Sequence, residues 1–174
     1  MRILLYILIV SFIVCGVIVI KGEIAPGSDP KAPLRTKYLT DVDLQGTINF
    51  IARYNRVEDK YADVGDEISP AYEAFRHIAA KASNEQLVKL TDHPIPCIKA
   101  YAFMALVERE NSNCRTILEK HIYDTTAYWH KMERVMWGER INHYYLAVSR
   151  DILPNDLYEQ YKARIEKYYA TLSH

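Results

Sequence analysis

The sequence predicts an all-α body preceded by one N-terminal transmembrane helix, and three observations predict it. Residues 3–20 (ILLYILIVSFIVCGVIVI) form an uncharged, almost wholly apolar run. Residues 22–36 (GEIAPGSDPKAPLRT) collect Gly and Pro with no hydrophobic periodicity. Beyond residue 37 almost every apolar pattern returns with the 3.6-residue period of a helix, and none alternates as a half-buried strand does.

Composition narrows the function classes. The 174 residues carry 22 Lys+Arg against 22 Asp+Glu, which excludes a strongly basic nucleic-acid binder and an acidic solvating tail. The 3 Cys cannot frame a disulfide-stapled miniprotein. The length suits one domain large enough to bury a core.

As a helix, Ile3–Ile20 spans about 27 Å, close to the thickness of a bilayer core. It is longer than the apolar region of a secretory signal, and no small-residue cleavage site precedes Lys21. Residues 1–21 therefore read as an uncleaved signal anchor, with secretion after cleavage as the alternative. Cys15 follows Phe12-Ile13-Val14, which does not suit lipidation. Arg2 lies on one side of the run and Lys21, Lys31, Arg35 and Lys37 on the other, so charge alone leaves the orientation open. The very short N-terminal tail favours an extracytoplasmic body. The expected localisation is single-pass and membrane-anchored, with residues 22–36 as a tether and 37–174 as the folded domain.

The domain's elements follow in order. Leu44, Ile48, Ile51 and Tyr54 share one helical face. Ser69-Pro70 supplies a cap and a first-position proline for a helix whose stripe is Tyr72, Phe75, Ile78, Ala79 and Ala82. Ser83-Asn84-Glu85-Gln86 fits a capping box before Leu87, Val88 and Leu90. His93-Pro94-Ile95-Pro96 stops that helix and starts the next, because a residue before proline is pushed out of the α region. Ile98, Tyr101, Ala102, Ala105 and Leu106, with a second stripe of Cys97, Ala100 and Met104, make this helix apolar on more than one side, so it is expected at the centre. Asn113 opens a helix with Ile117, Leu118, His121 and Ile122. Asp124 opens another through Tyr128, Trp129, Met132, Val135 and Met136, with Gly138 to end it. Ile141, Tyr144, Tyr145 and Val148 continue the pattern. Asn155 caps a last helix striped by Leu157, Tyr161, Ile165, Tyr168 and Leu172.

Within this series, Leu87 to Leu106 has a helix ending in Leu90, an Asp92/Pro94 turn, the apolar-basic pair Ile98-Lys99, and Ala102, Ala105 and Leu106. It resembles one unit of a HEAT-like (armadillo-type) helical repeat. The resemblance implies stacked helical hairpins, an α-solenoid fragment in which Asp41–Tyr54 and Pro154–Leu172 act as terminal caps. In such repeats Asp92 and Lys99 are structural residues with no catalytic role. Otherwise the chain is similar to uncharacterised bacterial membrane-anchored proteins, which share a segment like Tyr61-Ala-Asp-Val-Gly65.

Catalytic signatures are sparse. There is no G-x-S-x-G elbow and no phosphate-binding Gly-rich loop. Cys97 at a helix start reads as a buried structural thiol, and a Cys97–Cys114 disulfide is disfavoured because the central helix separates them. His130-x-x-Glu133 and Glu139-x-x-x-His143 each place two ligand types on one helix face, an arrangement able to hold a metal. The plainer reading is polar surface on aromatic-packed helices, so no cofactor is expected.

Aromatic residues are the more informative excess. The sequence has 14 Tyr, concentrated toward the C-terminus. Tyr128, Arg134, Trp137, Arg140, Tyr145, Tyr158 and Tyr169 are the candidate partner-binding set, since Tyr, Trp and Arg are enriched at interface hot spots. The functional expectation is a membrane-tethered, non-catalytic protein–protein interaction module whose partner is another protein and not a nucleic acid. The alternative is a metal-binding or enzymatic helical domain using His130, Glu133, Glu139 and His143.

Overall fold

A computed structural model describes residues 43–61 and 67–172. Asp43 opens α1 (Leu44–Tyr54) by accepting the Gly46 N–H at 2.6 Å, and Asn55, left-handed at φ 51°, closes it. β1 (Arg56–Glu58) follows. Ser69 then caps α2 (Pro70–Lys81), with proline at its start. Ser83 and Gln86 form the expected capping box of α3 (Asn84–Leu90). Pro96 opens α4 (Pro96–Glu108), and α5 (Cys114–Lys120) comes next. β2 (Ala127–Met132) and β3 (Val135–Arg140) lead directly into α6 (Ile141–Val148), and α7 (Asn155–Leu172) ends the described chain.

The centre is α4, as its two apolar stripes predict. Cys97, Ile98, Ala100, Tyr101, Ala102, Phe103, Ala105 and Leu106 are all buried. With no polar face to give to water, the helix is surrounded by α1, α2, α3, α5, α6, β1 and β2. Two of its aromatics reach out to define neighbours. Tyr101 stacks on Phe75 of α2, and its hydroxyl accepts the Glu58 N–H of β1 at 2.8 Å. Phe103 stacks on Tyr145 of α6 at 4.0 Å between centroids, and the Tyr145 hydroxyl donates to the Lys99 carbonyl at 3.2 Å.

Two expectations are corrected here. The fold is not all-α and not a stack of HEAT-like helical hairpins. The α3–α4 pair forms a helical hairpin where the repeat resemblance lies, but β1, β2 and β3 make a sheet on the central helix, in the order β1-β2-β3. β1 runs parallel to β2 and β3 runs antiparallel to it. The helix expected from Asp124 through Met136 is instead the β2–β3 hairpin. Its apolar residues happen to fit a helical stripe because the hairpin carries them on both faces. The membrane-anchored, single-pass localisation is the second correction. No helix among the described residues is long and apolar enough to cross a membrane, and the run 3–20 on which that reading rested lies outside the described residues, as does the tether 22–36.

The end of α4 carries a strained residue. Glu110 has φ 50°, its N–H meets the Val107 carbonyl at 2.9 Å, and the Asn111 N–H reaches Leu106 at 3.0 Å, which together form a Schellman motif. Glycine is preferred at that left-handed position because a Cβ is penalised there. Glu110→Gly is therefore expected to stabilise the protein by about 0.5–1 kcal/mol, measured as a rise in the urea midpoint at unchanged slope. Leu106→Ala, in the fully buried core, is expected to cost about 2–5 kcal/mol in the same measurement.

Candidate partner-binding hairpin

The hairpin is built on a continuous register. Ala127 faces Arg140, Trp129 faces Gly138, His130 faces Trp137, Lys131 faces Met136 and Met132 faces Val135, with no bulge. Glu133 and Arg134 form the turn, and Glu133 takes the left-handed φ of 52° that lets so short a connection reverse. β1 extends the sheet on the β2 side, pairing Arg56 with Trp129, Val57 with His130 and Glu58 with Lys131.

Strand geometry sends alternate side chains to opposite faces. The inner face carries Tyr128, His130, Trp137 and Glu139 against the body. Tyr128 is buried and meets Tyr144 of α6 edge-on, at 5.8 Å and 89°. His130 sits among rings, 4.7 Å from Trp137 and 5.8 Å from Tyr144, and its Nε2 lies 3.2 Å from an Asp59 carboxylate oxygen. The Trp137 indole N–H donates to Glu139 at 3.3 Å. Burial pushes the Tyr128 hydroxyl far above the ordinary tyrosine range, and it has no hydrogen-bond partner among the described residues.

The outer face and the tip are different. Trp129 is 53% exposed, Met132 48%, Val135 62% and Met136 52%. Trp129 lies opposite Gly138, where an added Cβ would meet no atom within 4 Å, so the floor beside the indole is open. Arg134 at the turn and Arg140 at the far end of β3 are exposed, and the Arg140 guanidinium lies over the Tyr169 ring at 4.7 Å.

Charged clusters, buried on the β1 side and half-buried to exposed at the hairpin's base, fix the two ends of the sheet. On the β1 side, Glu58 is 2% exposed, receives the Tyr54 hydroxyl, lies 2.5 Å from the Arg56 Nε and takes a bond from the Ser69 hydroxyl. At the hairpin's base, Asp124 accepts from the Thr126 N–H at 3.0 Å and from the Lys99 ammonium at 2.8 Å. The two ring nitrogens of His121 face Asp124 and Asp92, each at 3.1 Å, and Lys120 reaches Asp92 at 2.6 Å. Burial alone would raise the Asp124 carboxyl, but the bonds from Lys99, Thr126 and His121 outweigh it and hold it below the usual aspartate range. Asp92 is held down mainly by Lys120. The Asn142 N–H closes the base on the Asp124 carbonyl at 3.0 Å, and the Ile141 N–H on Thr126 at 3.1 Å.

The structure divides the sequence's partner-binding set. Arg134 and Arg140 stand on the exposed hairpin, and Trp137 is half-buried on its inner face. Tyr128 and Tyr145 are corrected: both are buried, one against α6 and the other stacked on α4, so neither presents a surface. Tyr158 lies under Arg150 at 4.4 Å, away from the hairpin on α7. Tyr169 supports Arg140 and donates to Asn142 at 3.2 Å. Sequence reasoning missed Trp129, Met132, Val135 and Met136 as surface residues because it assigned them to a helix stripe. Their available signal was the pair of β-favouring runs on either side of Glu133-Arg134.

The proposed ligand pairs do not assemble. Glu133 is in the turn, His130 and Glu139 are on the inner sheet face, His143 is on α6, and no group of His, Cys, Asp and Glu able to hold a metal occurs among the described residues. Cys97 and Cys114 are free and buried, as the geometric argument against a disulfide expects. Burial pushes the Cys97 thiol up to about 12, which keeps it protonated and unreactive at neutral pH. No protein-family model, no curated protein and no solved structure matches the chain.

The anchoring cluster makes the fold acid-sensitive. The folded state holds Asp92 and Asp124 below their unfolded range, so the unfolded chain binds more protons as the pH falls below about 4. Stability is complete above that pH and declines beneath it. Urea melts at about pH 7 and about pH 3 should show this loss, and Asp124→Asn should shrink it while costing about 2 kcal/mol at neutral pH.

Proposed function

We propose that this chain is a non-catalytic protein–protein interaction module and that the β2–β3 hairpin is its contact surface. The observation that carries this reading is the exposure of Trp129 and Met136 on the outer face and of Met132 and Val135 at the tip of one anchored hairpin. Single exposed apolar side chains are ordinary on a protein surface, whereas several large ones gathered on one hairpin, Trp129 and Met136 on its outer face and Met132 and Val135 at its tip, favour an interaction site. Trp, Met and Arg are also the residue types enriched in the energetic centres of interfaces.

The anchoring supports the same reading. Holding a hairpin on one face through Tyr128, His130 and Trp137 leaves its outer side chains positioned before any partner arrives, which lowers the ordering cost of association. The patch itself contributes nothing to the described core.

A photo-crosslinking amino acid placed at position 129 of the full-length chain tests the reading. The expected result is one dominant protein adduct in the native cell, absent when the probe sits at Glu85 on α3. The Met136→Ser variant should lose that adduct while its urea midpoint stays within about 0.5 kcal/mol of the parent, as exposed positions allow. Equal, diffuse labelling from both probe positions would contradict a specific contact at the hairpin.

A further inference from the structure

The outer edge of β3 is bonded on one side only, to β2. Its other side carries main-chain N–H and C=O groups that have no strand partner among the described residues. Edge strands are normally blunted by a proline, a bulge, charged side chains, extreme shortness or a covering element, and β3 carries charge at its Glu139-Arg140 end. β3 has neither a proline nor a bulge, and it runs for 6 residues.

On the outer face the side chains beside that edge are chemically one-sided, while Glu139 of the inner face turns its carboxylate to the Arg140 N–H at 3.0 Å. The exposed strand positions of the outer face are Ala127, Trp129, Met136, Gly138 and Arg140, and none is acidic. Arg134 extends the same face at the turn, next to Glu133. Neither Arg134 nor Arg140 has an ion-pair partner among the described residues, and Arg140 is already oriented by its stack on Tyr169. Across β3 the order on this face is therefore a cation at Arg134, a thioether at Met136, an open floor at Gly138 beside the Trp129 ring, and a cation at Arg140.

Resting on the reading of the hairpin as a protein-binding surface, we infer that β3 receives an extended peptide segment of a partner protein, acidic at two points and apolar between them. The segment adds as a strand to the β3 edge, with its main chain bonded to the outward N–H and C=O groups other than the Arg140 N–H, which the Glu139 carboxylate holds at 3.0 Å. Side chains on one face of a strand recur every second residue. A segment matching this face carries an acid, then two apolar side chains, then an acid, each separated by one residue that points the other way. Its two acids are about 20 Å apart, at roughly 3.4 Å per residue over the Arg134–Arg140 span. The apolar residue over Gly138 fills the floor beside Trp129. Main-chain pairing supplies affinity and the alternate side chains supply selectivity. A single-stranded nucleic acid would also find an aromatic ring and two guanidinium groups, but it cannot use the strand edge or Met136. The balanced charge of the chain, with 22 residues of each sign, offers no wider basic track.

The test uses the full-length protein and a fluorescent, end-blocked probe, Glu-Thr-Leu-Thr-Phe-Thr-Glu, followed by anisotropy. Saturable binding that weakens with added NaCl is expected. The Lys-ended analogue and a scramble with central Glu should bind at least about tenfold more weakly. The double variant Arg134→Glu and Arg140→Glu should reverse that preference in favour of the Lys-ended analogue. Gly138→Leu fills the open floor and should weaken the Glu-ended probe by about tenfold with no loss of thermal stability.

Equal binding of the two charged probes would overturn the inference, and so would tighter binding of oligo-dT than of the Glu-ended probe at equal ionic strength. If the Glu-ended probe fails while the crosslinked partner at position 129 persists, the strand-addition inference is wrong and the interaction reading stands. If both fail, the hairpin is not a protein-binding surface.

Discussion

The described residues are arranged around a helix that has no face to give to water. α4 is apolar around its circumference, and its burial requires neighbours on every side. The flanking helices cover part of it. The rest is closed by β1 and by the inner face of the β2–β3 hairpin, whose Tyr128 is buried against Tyr144. The sheet exists to finish the enclosure of α4, and it does so as a single layer. A single layer has a second face, and among the described residues nothing in the chain covers it. The exposed Trp129 and Met136 of the proposed contact thus stand on the reverse side of a structural obligation.

That arrangement needs fixed ends. A short strand pair is marginal in water on its own, and three strands with one buried face are needed to hold. β1 supplies the third strand through a parallel pairing between residues far apart in sequence, secured by the Tyr101 hydroxyl on the Glu58 N–H. The Asp92, Lys99, Lys120, His121 and Asp124 cluster secures the other end, where the chain leaves α5 and enters β2. The charged groups here are satisfied by one another and by backbone, which is the condition for placing them near a core at tolerable cost. The turn, by contrast, spends strain on Glu133 and projects its neighbours into solvent.

How much of this was legible in the sequence follows from where burial is one-sided. Helices α2 to α4 carry their caps and stripes in plain view: Ser69, the Ser83/Gln86 box and Pro96 each stand where the structure uses them, whereas α1 shows its stripe and the structure adds its Asp43 cap. The hairpin was misread for a physical reason. Strands are recognised by alternation, and alternation requires that the solvent face be polar. Here Trp129 and Met136 occupy solvent-face positions, so the period of two is filled in and the run resembles a helical stripe. β1 is too short for any periodicity, and its long-range parallel partner leaves no local trace. The residues that defeated the secondary-structure reading are the same ones that carry the proposed contact. Local rules are broken most often where a sequence serves binding as well as folding. The partner-binding set was legible only in part. Arg134 and Arg140 of the candidate set lie exposed on the hairpin, while Tyr128 and Tyr145 serve packing among the sheet, α4 and α6.

The central claim is that the sheet is closed on one face by α4 and α6 and left open along β3. Residue-resolved amide hydrogen exchange of the free protein tests it most directly. The account predicts near-global protection for α4 and for the β2 amides bonded to β1 and β3, with fast exchange at the Met136 and Gly138 amides, which point away from β2, the Arg140 amide being held by Glu139. Uniform protection across both sides of β3 would mean that its edge is already covered in the free protein, and would contradict the account.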